Sequence, residues 1–151
     1  MKTRLMALLL LTLTATACGE SRSVQCEKIG TILNSTSSQM LSASGTSQGF
    51  SQGATLADQA AADLEALDLG DKKLSNLRSH LAAAYRATSA TSLEMDAISG
   101  SSGTVTSSAA NNDIIARFEQ SDQEFGVVFN AAQAYCNGGD VPPEFTEQPA
   151  S

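Results

Sequence analysis

The sequence predicts an all-α protein, a small up-down-up-down four-helix bundle pinned by a Cys26–Cys136 disulfide. Three observations lead there. Four stretches carry apolar residues at alternating steps of three and four, each stretch being one face of an amphipathic helix. Glycine, asparagine and proline signals fall between the stretches and after the last. Two cysteines lie on the predicted core stripes, one at the start of the first stretch and one at the end of the fourth. No stretch alternates apolar and polar residues between hairpin turns, as a half-buried strand does.

The first stripe runs Cys26, Ile29, Leu33, Thr36, Met40 and Ala43, with Ser23 placed to cap it. The second is shorter, Leu56, Ala60, Leu64 and Leu67 widened by Ala57 and Ala61; Thr55 and Asp58 form a weak capping box at its start. Gly45 to Gly53 reads as a polar connection between the two. Leu69-Gly70-Asp71 is a tight break, and Asp71 can cap the third helix. That helix has the most regular stripe: Leu74, Leu77, Leu81, Ala84, Thr88, Thr91, Met95 and Ile98. Ser99-Gly100-Ser101-Ser102-Gly103 opens a Ser/Gly loop. Asn112 can cap the fourth helix, whose stripe is Ile115, Phe118, Asp122, Phe125, Phe129, Ala132 and Cys136, and Asn137-Gly138-Gly139 ends it. Residues 23–139 are thus the bundle, and 140–151, with Pro142 and Pro143, are expected to be a disordered tail. The core is light, because alanines allow close helix approach but bury little area at about 25 cal/mol per Å².

In an up-down-up-down bundle the start of the first helix and the end of the fourth share one end. Cys26 and Cys136 then face each other within the 5–6 Å or so that a disulfide requires between Cα atoms. The bond closes a loop of over 100 residues, worth about 4–5 kcal/mol in the chain-entropy model. A metal pair is the weaker reading, since two isolated cysteines with one distant histidine do not make a tetrahedral zinc site.

Cys18 is the cysteine left over, and its context is specific. Lys2 and Arg4 form a positive region, Leu5 to Leu13 an apolar one, and Ala15-Thr16-Ala17 a small-residue cleavage site. The apolar run is too short to span a bilayer, which takes about 20 residues. Residues 1–17 therefore read as a signal peptide. Ala15-Thr16-Ala17-Cys18-Gly19 resembles the lipobox of bacterial lipoproteins, although Ala15 stands where that family usually carries Leu. The resemblance implies cleavage before Cys18, a diacylglycerol and usually an N-acyl (palmitate-type) chain on it, and residues 18–22 as a lipidated tether. Several acyl chains hold a protein firmly to a membrane surface without a span. Ordinary A-x-A cleavage, leaving Cys18 unmodified in a secreted protein, is the alternative.

Charge narrows the partners. The chain carries −7 at pH 7, and loss of Lys2 and Arg4 makes it two units more negative. An acidic chain repels nucleic acid and anionic lipid alike. Candidate chemistry is sparse. His80, the single histidine, lies one residue off the third stripe and reads as a boundary residue. Asp58, Asp63, Glu65, Asp68 and Asp71 match no calcium loop and read as a solvated acidic face. Asp122 interrupts the fourth stripe; it is either solvent-facing, the favoured reading, or paired with Arg78 or Arg86. Asn34-Ser35-Thr36 is a glycosylation sequon by chance. Tyr85, Phe118, Phe125 and Phe129, with Tyr135, hold most of the aromatic surface. They are either core or, for the first four, the lining of an apolar ligand pocket between helices. No phosphate loop, nucleophile elbow or HExxH segment occurs, and no cofactor or metal is expected.

The cysteine at the cleavage site, Gln25-Cys26, Leu64-Glu65-Ala66-Leu67-Asp68-Leu69 and Ala134-Tyr135-Cys136 together resemble small helical lipoproteins of cyanobacteria. That resemblance implies an anchored helical protein on the periplasmic or lumenal side and brings no activity with it. The expected function is a non-enzymatic interaction or accessory module with an unidentified protein partner; the alternative is a carrier of a small apolar ligand.

Overall fold

The structure, a computed structural model, describes residues 20–44, 46, 48–99, 108 and 111–149. The predicted signal peptide, Cys18, Gly45 and the Ser/Gly loop after Ser99 lie outside the described residues. Among the described residues four helices, α1 (Arg22–Ala43), α2 (Gly49–Glu65), α3 (Lys72–Ser99) and α4 (Asn112–Cys136), pack together without a strand. A 3-10 turn, Pro143–Phe145, follows. Cys26 and Cys136 are joined by a disulfide with Cα atoms 5.8 Å apart. No described helix is long and apolar enough to cross a membrane.

Helix α3 is the centre of the bundle. It packs extensively on α2 and on α4, whereas α1 rests mainly on α2 and meets α3 and α4 only sparingly. Burial on two sides explains why α3 hides more than its predicted stripe. Leu74, Leu77 and Leu81 are fully buried, and on the second face Ala82, Tyr85 and Ser89 are buried as well. Helix α2 contributes Ala54, Ala57, Ala60, Ala61 and Leu64, small side chains that let the α2 and α3 backbones approach closely. Ile29 and Leu33 of α1 complete the same core.

Several boundaries move from their predicted places. The cap of α1 is Ser21, whose Oγ accepts from Val24 N–H at 3.4 Å, so the helix begins before Ser23 and takes in the end of the predicted tether. Helix α2 begins at Gly49, inside the segment expected to be a polar connection. Thr55 is therefore an interior residue, its Oγ1 donating to Ser51 C=O at 3.0 Å. Phe50 supplies the reason, since its ring meets Phe118 edge-on with centroids 5.9 Å apart, and that contact outweighs the poor helix propensity of Gly and Ser. Helix α4 is preceded by Asn111, with Asn112 its first residue.

The other ends follow the sequence. Asp71 caps α3, its Oδ1 accepting from Leu74 N–H at 3.0 Å. Helix α4 closes in a Schellman turn: Gly139 N–H donates to Ala134 C=O (2.9 Å) and Gly138 N–H to Tyr135 C=O (3.1 Å). Gly138 has φ +93°, a region that favours glycine.

The tail is the largest correction. Residues 140–149 are not a disordered extension but fold back over α3, burying Val141 and Phe145 in the core cluster. Asn76, itself buried, donates from Nδ2 to Thr146 C=O. His80 Nε2 lies 2.8 Å from Glu147 O, and its ring meets Phe145 edge-on at 5.0 Å. The turn at Pro142 and Pro143 brings two apolar residues spaced by four onto the bundle, which offsets the entropy of ordering a short segment.

A candidate ligand cavity at the open end of the bundle

The two ends of the bundle differ. At the disulfide end, polar side chains from three helices lock together. Tyr135 Oη donates to Asp71 Oδ2 at 2.7 Å. Buried Gln25 accepts from Asp71 N–H through Oε1 (3.0 Å) and donates from Nε2 to Glu20 C=O (2.6 Å). The Arg22 guanidinium sits 4.8 Å above the Tyr135 ring. Burial alone would raise the Asp71 carboxyl, but hydrogen bonds from Leu74 N–H, the Tyr135 hydroxyl and Lys73 N–H, helped by Arg22, hold it below the usual range. Burial and the same hydrogen bond to Asp71 push Tyr135 up. The Asp71–Tyr135 pair is thus occupied in joining α3 to α4.

At the opposite end α1 stands off from α4, and a cavity of about 390 Å³ opens. Met40 comes from the last turns of α1, Phe50 from the first turn of α2, Thr88 and Ser92 from α3, and Phe118 and Asp122 from α4. The T-shaped Phe50–Phe118 pair and Met40 make its apolar wall. Thr88 Oγ1 is turned back onto Ala84 C=O at 3.0 Å. A larger hollow, about 560 Å³, lies under the C-terminal tail, but its lining is polar apart from Leu69 and Gly70. An apolar ligand requires apolar concave walls; a groove of about 360 Å³ along Ala83, Ala84, Val127, Val128 and Phe145 has them too, but the open-end cavity is the one lined by a predicted pocket aromatic, Phe118, and is the candidate.

Of the four aromatic residues predicted to line a pocket, Phe118 alone lines this cavity. Tyr85, Phe125 and Phe129 form a separate cluster, with Tyr85 and Phe125 centroids 4.7 Å apart and Phe125 and Phe129 6.0 Å apart. Tyr85 is 3 % exposed, and its phenol is pushed up to about 12 by burial, moderated by a hydrogen bond with Thr36. Phe129 lines a shallow groove of about 130 Å³ between α1 and α4 beside the disulfide. Tyr85 is a core side chain, and Phe125 and Phe129 pack half-buried against that core. Met40, Phe50 and Ser92 were missed as site residues. A signal for Phe50 existed: Phe50, Ala54, Ala57, Ala61 and Leu64 continue one stripe backwards by steps of four and three.

Asp122 is exposed, as favoured, and neither predicted arginine reaches it. Arg78 donates to Leu67 C=O. Arg86 pairs with Glu65 at 2.8 Å and approaches Asp58 at 3.8 Å. The hydrogen bond from Arg86 is what lowers the Glu65 carboxyl, despite some desolvation. Among the described residues no three His, Cys, Asp or Glu side chains converge as metal ligands.

Compared with protein-family models, curated proteins and solved structures, the chain matches none.

Proposed function

We propose that this chain is a lipid-anchored, extracytoplasmic module of the bacterial cell envelope that works by binding rather than catalysis, with a protein of the same compartment as partner. The observation that carries the reading is the cysteine arrangement. Cys26 and Cys136 bond to each other, which suits an oxidising compartment, and the cysteine that remains, Cys18, is the one in the lipobox-like segment. Cys18 precedes the first residue of α1 by four positions, a reach of at most about 14 Å. The disulfide end then faces the membrane, and the open end points away. Binding is favoured over catalysis because the groups best suited to acid–base work have structural duties: His80 meets the C-terminal tail, and Asp71 and Tyr135 tie α3 to α4.

The open-end cavity favours a second reading, carriage of a small ligand with an apolar body. About 390 Å³ falls in the range of small-molecule sites. Both readings share the anchor, and Cys18→Ser tests it. The variant is expected to move from the membrane pellet to the soluble fraction of the envelope. A Cys18→Ser protein that still pellets with membranes contradicts the proposal.

A further inference from the structure

We propose that the open-end cavity binds a small cationic amphiphile, an amine carrying an apolar or aromatic body; this rests on the carrier reading above and names its ligand class. Two observations beyond the cavity point to a ligand with a hydrogen-bonding, positively charged head. Ser92 lines the cavity, is 5 % exposed, and its hydroxyl has no hydrogen-bond partner among the described residues. The Ser92 oxygen is open to the cavity rather than sealed in the core, so a ligand seated there can exchange a hydrogen bond with it in place of water. Asp122 stands at the rim one helical turn from Phe118, and no cation pairs with it among the described residues.

Asp122 is the one charged residue among the described residues that line the cavity. Arg117, the neighbour of Phe118 in sequence, is engaged by Glu94 at 2.7 Å and Asp113 at 3.2 Å. A fatty-acid carboxylate would therefore enter against Asp122 with nothing to neutralise it. An ammonium would gain Asp122, and the T-shaped Phe50–Phe118 pair in the lining offers aromatic surface to a cation. Met40, Phe50 and Phe118 offer the wall for the apolar body, and Ser92 and Asp122 line the same cavity.

Matched probes separate the components. The membrane-purified chain in phosphatidylcholine nanodiscs, with empty nanodiscs as blank, is dialysed against 2-(1-naphthyl)ethylamine, 2-(1-naphthyl)ethanol and 1-naphthylacetate. The amine is expected to bind about five- to tenfold more tightly than the alcohol, with the carboxylate weakest. Asp122→Asn, an exposed substitution that leaves folding intact, should bring the amine down to the level of the alcohol. Ser92→Ala should weaken amine and alcohol alike. Equal binding of amine and alcohol, indifferent to Asp122→Asn, overturns the proposal and leaves the carrier reading standing. Preference for the carboxylate also overturns it. Binding of none of the three at millimolar concentration removes the proposal and the carrier reading together.

Discussion

Replacing both Cys26 and Cys136 with Ala lowers the stability of the bundle by about 4 kcal/mol, from the chain-entropy estimate for a closed loop of this size. The bond spans 110 residues of sequence and ties the first helix to the last. Other contacts between those helices are few, because α1 rests on α2 and meets α4 sparingly. The core that remains is rich in alanine and has little area to spare. The loss is read as a drop in the urea midpoint at unchanged slope. Hydrogen exchange should show α1 losing protection more than α2 and α3, which are held by each other. Reductant added to the unsubstituted protein should give the same shift. A midpoint unmoved by either treatment contradicts this account of the fold.

Leu77→Ala is expected to cost about 3 kcal/mol, within the usual range for emptying a fully buried leucine site. Leu77 is 0 % exposed on the central helix and belongs to one cluster with Leu64, Leu74 and Leu81. Close packing of α2 on α3 through alanines leaves the backbones little room to collapse into the space. Leu93→Ala on the same helix is the control: Leu93 is 53 % exposed, and its loss should change stability by no more than about 0.5 kcal/mol. Equal effects of the two substitutions would mean that α3 is not the buried centre of the bundle.

The bundle and its disulfide were legible because helical periodicity and the cysteine positions predicted each other. Helix α1 follows its stripe closely and α3 does so over its first half: Ile29, Leu33 and Thr36, then Leu74, Leu77 and Leu81, are buried as expected, whereas farther along α3 Ser89, Ser92 and Ser99 are buried and Thr88, Thr91 and Ile98 only half-buried. Helix α4 is rotated by about one residue from its predicted stripe. Ser121, Val128 and Tyr135 are buried, whereas Phe118, Phe125 and Phe129 are half-buried. The stripe picks out the most apolar line on a helix, but α4 faces α3 fully and α1 only in part. The half-covered line is where the cavity opens. Phe118 could be read as a site residue because it is a large aromatic on that line. Phe50 was obscured by its neighbours, since Ser, Gln and Gly suggest a loop even though the Ala54–Leu64 stripe extends back to it, and its contact with Phe118 favours the helix there. The tail was misread for a similar reason: its prolines and acidic residues outnumber Val141 and Phe145, yet those two decide where it lies.

The central claim joins an anchor at Cys18 to a bundle closed by Cys26 and Cys136, and the intact mass of the native protein from its membrane fraction tests both at once. The account predicts a chain beginning at Cys18 that carries acyl chains and gains two hydrogens on reduction. A chain of unmodified mass recovered only from the soluble fraction, or a mass that reductant leaves unchanged, would contradict it.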